Sequence, residues 1–270
     1  MNNNTTKAGY VALIGKPNVG KSTLMNHFLG KKISITSSKP QTTRQRMLGI
    51  KTMGDTQLIF VDTPGIHMGF KRELNRYMNR VAKAALHDVD IVLFMVDATH
   101  WDDEDSHVVG LLEELAVPVI LVINKIDKVK DKQVLLPLIE KLSSKMSFSG
   151  VVPISAKNQH KVDELESLLK SSVPPSVHFF PPEQFTDRSD RFIVAELIRE
   201  KLTRQLGQEL PYQLTVTLEA LEEQDKIIKI AALIWLEKES HKSIVIGKGG
   251  ERLKKVGTFA RQDIERFFDK

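Results

Sequence analysis

Gly15-Lys16-Pro17-Asn18-Val19-Gly20-Lys21-Ser22 is a complete G-x-x-x-x-G-K-[ST] run. It follows the apolar segment Tyr10–Ile14 and leads into a helical pattern at Thr23–Leu29. That strand–loop–helix setting is where such a loop cradles phosphate. It constrains the chain to an α/β fold, because the loop needs a buried strand behind it and a helix N-terminus in front. Gly15 and Gly20 let successive N–H groups turn inward. Lys21 reaches the β and γ phosphates, Ser22 ligates Mg²⁺, and Thr23 opens the helix.

Counting Tyr10–Ile14 as the first, further strand-like runs stand at Leu48–Thr52, Gln57–Val61, Ile91–Val96, Val119–Ile123 and Val151–Ile154. Several are near-continuous Val/Ile/Leu, as expected of strands buried on both faces of a largely parallel sheet. Met53-Gly54-Asp55-Thr56 is short enough to join Leu48–Thr52 and Gln57–Val61 as a hairpin, giving one antiparallel edge strand. Ligand then binds at the carboxyl ends of the strands, and three motifs stand at such ends. Asp62-Thr63-Pro64-Gly65-Ile66 follows the third run; Asp62 serves Mg²⁺, and the Gly65 N–H faces a γ-phosphate. Asn124-Lys125-Ile126-Asp127 follows the fifth, where the Asp127 carboxylate accepts from the N1 and N2 donors that guanine has and adenine lacks. Ser155-Ala156-Lys157 follows the sixth and presents backbone to the guanine O6. Together the four motifs predict GTP/GDP binding.

The first half therefore resembles the translation-factor-related class of small GTPases. The resemblance implies a switch segment whose Thr binds Mg²⁺ in the GTP state, and Lys39-Pro40-Gln41-Thr42-Thr43-Arg44 is the candidate. Sequence does not choose between Thr42 and Thr43. A second switch runs from Gly65 into a helix near Lys71–Leu86. Lys21, Thr42 or Thr43, and Gly65 are the catalytic candidates; Ser22, Thr42 or Thr43, and Asp62 are the metal candidates. Ile66 stands where Ras-like proteins carry the Gln that orients water, so slow turnover by electrostatic stabilisation is expected. Asn18 matches an Asn that holds K⁺ in related GTPases.

Pro174-Pro175-Ser176 and Phe180-Pro181-Pro182 mark a linker, read as a semi-rigid spacer. The reading divides the chain into a disordered start (1–7), a GTPase domain (8–173), the linker (174–188) and a second domain (189–270). The second domain reads helix, strand, strand, helix, helix. Between its last helices stands Ile246-Gly247-Lys248-Gly249-Gly250, followed by Arg252, Lys254 and Lys255. From His241 to Arg261 six Lys and Arg face Glu251 alone, within a half whose charges balance. A G-x-x-G between helices, with basic residues after it, predicts a KH module that binds single-stranded RNA.

The combination of Asp62–Ile66, Glu209-Leu210-Pro211-Tyr212 and Ile246–Gly250 in one chain resembles the Era family of bacterial ribosome-assembly GTPases. The resemblance implies binding to the 3′ end of 16S rRNA, action in 30S subunit assembly and peripheral inner-membrane association. It also implies a further strand after the last helix, and this chain stops at Phe267-Phe268-Asp269-Lys270, so the KH sheet is expected to lack its last strand. The alternative function is an RNA-binding scaffold with incidental hydrolysis. The chain has no cysteine, no apolar run long enough to span a bilayer and no H-E-x-x-H. A cytoplasmic monomer that does not bind DNA is expected. The acidic run Asp102-Asp103-Glu104-Asp105 reads as a solvated helix start.

Overall fold

The computed structural model describes residues 6–37, 43–66, 73–206 and 214–270. The chain forms two compact units, one of residues 1–30 and 43–187, the other of 31–42 and 188–270.

In the first unit the order is β1 (Lys7–Ile14), α1 (Lys21–Leu29), β2 (Met47–Met53), β3 (Thr56–Asp62), α2 (Glu73–Ala84), β4 (Ile91–Asp97), α3 (Asp103–Leu112), β5 (Val119–Asn124), α4 (Leu135–Ser143), β6 (Gly150–Pro153) and α5 (Val162–Ser172). The six strands form one sheet in the order β2-β3-β1-β4-β5-β6. Only β2 runs antiparallel, against β3. Alternation along β3 shows why both faces are covered. Ile59 and Val61 join the core formed with Ala82, Val108 and Leu142 of α2, α3 and α4. Phe60 points the other way and stacks on Phe28 of α1, ring centroids 4.6 Å apart.

The proline-containing segment, read as a semi-rigid spacer, is hydrogen-bonded along the first unit. Pro174 O accepts from the Ala8 N–H at 3.3 Å, and the Ser176 N–H donates to Thr6 O at 2.9 Å. The side chain of Gln57, fully buried, accepts from the Phe179 and Phe180 N–H groups at 2.8 and 3.0 Å and donates to Phe180 O at 2.8 Å. Along edge strand β2, the Ile50 N–H donates to Phe185 O at 2.9 Å and the Leu48 N–H to Asp187 Oδ1 at 2.9 Å. The segment thus covers a sheet edge that would otherwise present unpaired backbone. Thr6 and Lys7, read as part of a disordered start, are ordered by these pairings, and Lys7 opens β1.

The second unit contains α6 (Asp190–Gln205), the hairpin β7 (Leu214–Glu223) and β8 (Ile228–Leu236), α7 (Ser240–Ile246) and α8 (Glu251–Phe268). The two strands are joined by a turn at 224–227. A small core joins Leu202, Leu206, Leu214, Val216, Val245 and Val256. Residues 31–37, placed by sequence in the GTPase domain, belong to this unit. There Lys32 Nζ pairs with Glu200 Oε1 at 2.8 Å and Asp263 Oδ2 at 2.6 Å, and the Thr36 N–H donates to Glu200 Oε2 at 3.2 Å.

Candidate nucleotide and RNA sites

The phosphate loop lies at the carboxyl end of β1, and α1 begins at Lys21. Gly20 has φ 111°, and a Cβ there would fall 2.3 Å from Asn124 Nδ2, so only glycine fits. Asn18, exposed, takes the left-handed φ of 62°, which Asn tolerates better than most residues. Lys21 is buried, and its Nζ donates to Gly15 O and Lys16 O, both at 2.9 Å. Burial pulls its pKa down to about 8, against the upward pull of Asp62 and Asp105. An ammonium held this way, with no carboxylate bond among the described residues, keeps a third N–H that a phosphate oxygen could accept.

Ser22, Thr43 and Asp62 converge at the end of β3. Ser22 Oγ lies 3.1 Å from Thr43 Oγ1 and 3.1 Å from Asp62 Oδ2, and Thr43 Oγ1 lies 3.4 Å from the same carboxylate oxygen. Three hard oxygen donors within mutual reach suit Mg²⁺, which keeps several waters and shares its shell with phosphates. Thr43 is the threonine found there; Thr42 lies outside the described residues. Thr63 Oγ1 donates to Leu13 O at 2.9 Å, and the Ile66 N–H to Gly15 O at 3.3 Å, so the Asp62–Ile66 turn lies against the phosphate loop. At Gly65 a Cβ would sit 2.6 Å from the Pro17 nitrogen. The Ile66 side chain is 2% exposed and belongs to the hydrophobic core.

The base motifs are joined by one amide. Asn124 Nδ2 donates to Val19 O at 2.7 Å, and Asn124 Oδ1 accepts from the Ala156 N–H at 2.9 Å. Asn124 thus ties the phosphate loop to the Ser155–Lys157 turn. Asp127 is exposed, and its Oδ1 accepts from Ser155 Oγ at 2.6 Å. The Lys125 ammonium pairs with Asp97 Oδ2 at 2.6 Å. Burial works against the Asp97 carboxylate, but bonds from Lys125 and Thr99 outweigh it and its pKa is lowered. The sequence reading missed Asp97 by ending its strand at Val96; β4 ends on Asp97, as β3 ends on Asp62 and β5 on Asn124. The acidic run does start a helix, but it is not solvated throughout. Asp102 caps α3, and Asp105 is fully buried against the Lys16 side chain rather than solvated.

In the second unit Gly247, Gly249 and Gly250 all have positive φ. At Gly247 (φ 77°, ψ 172°) the backbone adopts a region open essentially to glycine alone, and a Cβ would lie 2.8 Å from Arg252 Cβ. Lys248, Lys254 and Lys255 are exposed, while Ile246 is half-buried. Arg252 Nη1 donates to Ile244 O, so this guanidinium closes the α7–α8 turn. Beside α8 an apolar groove of about 520 Å³ is lined by residues including Ile230, Ile234, Leu253 and Val256. Glu209–Tyr212 lie outside the described residues.

Residues 10–125 match the 50S ribosome-binding GTPase family, and residues 209–270 match the KH domain family. GTPase Era of Coxiella burnetii (strain Dugway 5J108-111) is 57% identical over 265 residues, spanning 98% of this chain and 90% of that protein. GTPase Era of Pseudomonas savastanoi pv. phaseolicola is 53% identical over 270 residues, spanning 100% and 90%. A crystal structure of Era in complex with MgGDPNP and nucleotides 1506–1542 of 16S ribosomal RNA superposes with a TM-score of 0.92 at 40% identity, covering 98% of this chain and 90% of the other. A nucleotide site at the strand ends, a G-x-x-G turn in a second unit and these near-full-length likenesses agree: the chain belongs to the Era family of GTPases.

Proposed function

We propose that this GTPase is a slow GTP-dependent switch that binds the 3′ end of 16S rRNA through the Gly247–Gly250 turn and assists 30S subunit assembly. The observation that carries the nucleotide half is the Asn124 brace, which holds phosphate loop and base motifs in one site. The rRNA half is supported by the RNA-bound Era structure to which this chain is similar. Ser22, Thr43 and Asp62 would hold Mg²⁺, which neutralises charge on the β and γ phosphate oxygens when bound. Lys21, its Nζ steadied by the Gly15 and Lys16 carbonyls, supplies its positive charge and remaining N–H to the phosphates. Asp127 selects guanine, with the Ser155–Lys157 backbone at O6. Buried Ile66 provides no water-orienting group, which favours slow hydrolysis.

On this reading Gly247 and its neighbours bring backbone close to the RNA, and Lys248, Lys254 and Lys255 pair with phosphates. Arg252 contributes by shaping the turn. The protein works as a cytoplasmic monomer with peripheral association at the inner face of the cell membrane, and K⁺ sits beside Asn18.

The test is GTP turnover with Mg²⁺ in K⁺ or Na⁺, with and without a single-stranded RNA matching the 16S 3′ end. RNA-stimulated, K⁺-dependent turnover is expected. Turnover indifferent to an RNA that nevertheless binds would favour the scaffold reading. Absence of RNA binding would overturn the rRNA assignment.

A further inference from the structure

The acidic start of α3 and the second residue of the phosphate loop meet in a contact that neither needs for its own local structure. Lys16 is 7% exposed. Its Nζ lies 2.6 Å from Asp105 Oδ2, 2.8 Å from Asp102 Oδ2 and 3.2 Å from His100 O. Asp105 is 0% exposed and also accepts the Asp102 N–H at 3.2 Å. Asp102 Oδ1 accepts the Glu104 and Asp105 N–H groups at 3.0 and 3.3 Å, completing a capping box. His100 Nε2 is 3.1 Å from Asp102 Oδ2.

Capping alone does not call for a buried carboxylate, since a solvent-facing acid at the same position satisfies the same N–H groups. The loop's phosphate contacts use backbone N–H groups and Lys21, so they leave the side chain at position 16 undetermined. Burying an ion costs several kcal/mol, and a good partner must offset it. Burial disfavours charge on Lys16, but the two carboxylates outweigh it and raise its pKa. Burial raises the Asp105 pKa, and the bonds from Lys16 and from the Asp102 N–H pull the other way.

The consequence lies in the backbone of Lys16. Lys21 Nζ restrains the Gly15 and Lys16 carbonyls from within the loop. The Lys16 side chain grips the same stretch of loop from outside. We infer that Lys16, through Asp105 and Asp102, is a positioning residue that keeps the phosphate loop in its nucleotide-holding shape and slows nucleotide release. The inference rests on the reading of this loop as the GTP site.

The test measures dissociation of a fluorescent GDP analogue, with Mg²⁺, from the full chain and from Lys16→Met, Asp105→Asn, Lys16→Arg and the double variant Lys16→Met/Asp105→Leu, each with a thermal melt. The single losses are expected to speed dissociation about tenfold or more, equivalent to about 1.4 kcal/mol, and to lower the melting temperature. Lys16→Arg, which keeps a charged donor for both carboxylates, is expected to retain slow release. In the double variant no unpaired buried charge remains, so the melting temperature recovers while release stays fast. A purely structural role would let release recover with stability, and that result, or unchanged release in the single variants, overturns the inference. Where a single variant does not fold, the Arg and double variants decide. Failure of the unaltered protein to retain GDP would instead overturn the GTP-site reading, and the inference with it.

Discussion

Side chains at the nucleotide site divide into those that touch ligand and those that hold the touching parts still. Asn124 belongs to the second kind, because both ends of its amide are engaged by protein. On the proposed reading Asp127 belongs to the first; it is exposed and steadied by the Ser155 hydroxyl. Replacing its carboxylate with an amide removes the acceptor pair for the guanine N1 and N2 donors. Asp127→Asn is therefore expected to weaken GTP binding on the order of 100-fold or more and to move preference toward xanthine nucleotides. Competition of XTP and GTP for a fluorescent analogue checks this; unchanged guanine selectivity would place the base elsewhere.

Beside the apolar core that Leu202 and Val256 share, the second unit holds a charged cluster on α6 and α8. Glu200 is 0% exposed and meets Lys32 at 2.8 Å and Arg204 Nη2 at 2.7 Å. Asp263 meets Lys32 at 2.6 Å, also pairs with Lys201, and meets Arg266 at 3.3 Å. Burial works against the Asp263 carboxylate, yet its ion pairs outweigh that and its pKa is lowered. A depressed folded-state pKa contributes stability above the unfolded value, and the contribution is lost as pH falls through the folded value. Asp263→Asn is expected to cost about 3 kcal/mol at neutral pH. The difference from the unaltered chain should shrink below roughly pH 4. Urea titrations between pH 3 and 7, read by Trp235 in a Trp101→Phe background, measure it; a pH-independent difference would show that the charge of Asp263 is not what stabilises the cluster.

For the whole molecule the path of the chain matters more than the list of its elements. It leaves the first unit after Gly30, returns at Thr43 and leaves again after Asp187. Residues 31–37 carry Ile33 and Ile35, 1% and 2% exposed, and use Glu200, Arg204 and Asp263 as polar partners. A chain ending at Asp187 strips them of these partners. It is expected to be cut by trypsin at Lys31 and Lys32 at least tenfold faster than the full chain, the opening free energy falling by more than about 1.4 kcal/mol. Equal cleavage rates would show that residues 31–37 hold their structure without the second unit.

The GTPase motifs, the strand ends that carry them and the G-x-x-G turn were legible in the sequence. Each depends on chemistry within one strand–loop–helix stretch, where backbone geometry follows from local residue types. What tertiary structure alone decided is which distant charge or amide each polar side chain meets. Lys16 finds Asp105 across 89 residues, Gln57 finds Phe180 across 123 and Lys32 finds Asp263 across 231. A run such as Asp102–Asp105 looks solvated because isolated carboxylates belong in water. Only when folding delivers an ammonium to the same spot does burying one of them become favourable, and no local pattern records that delivery.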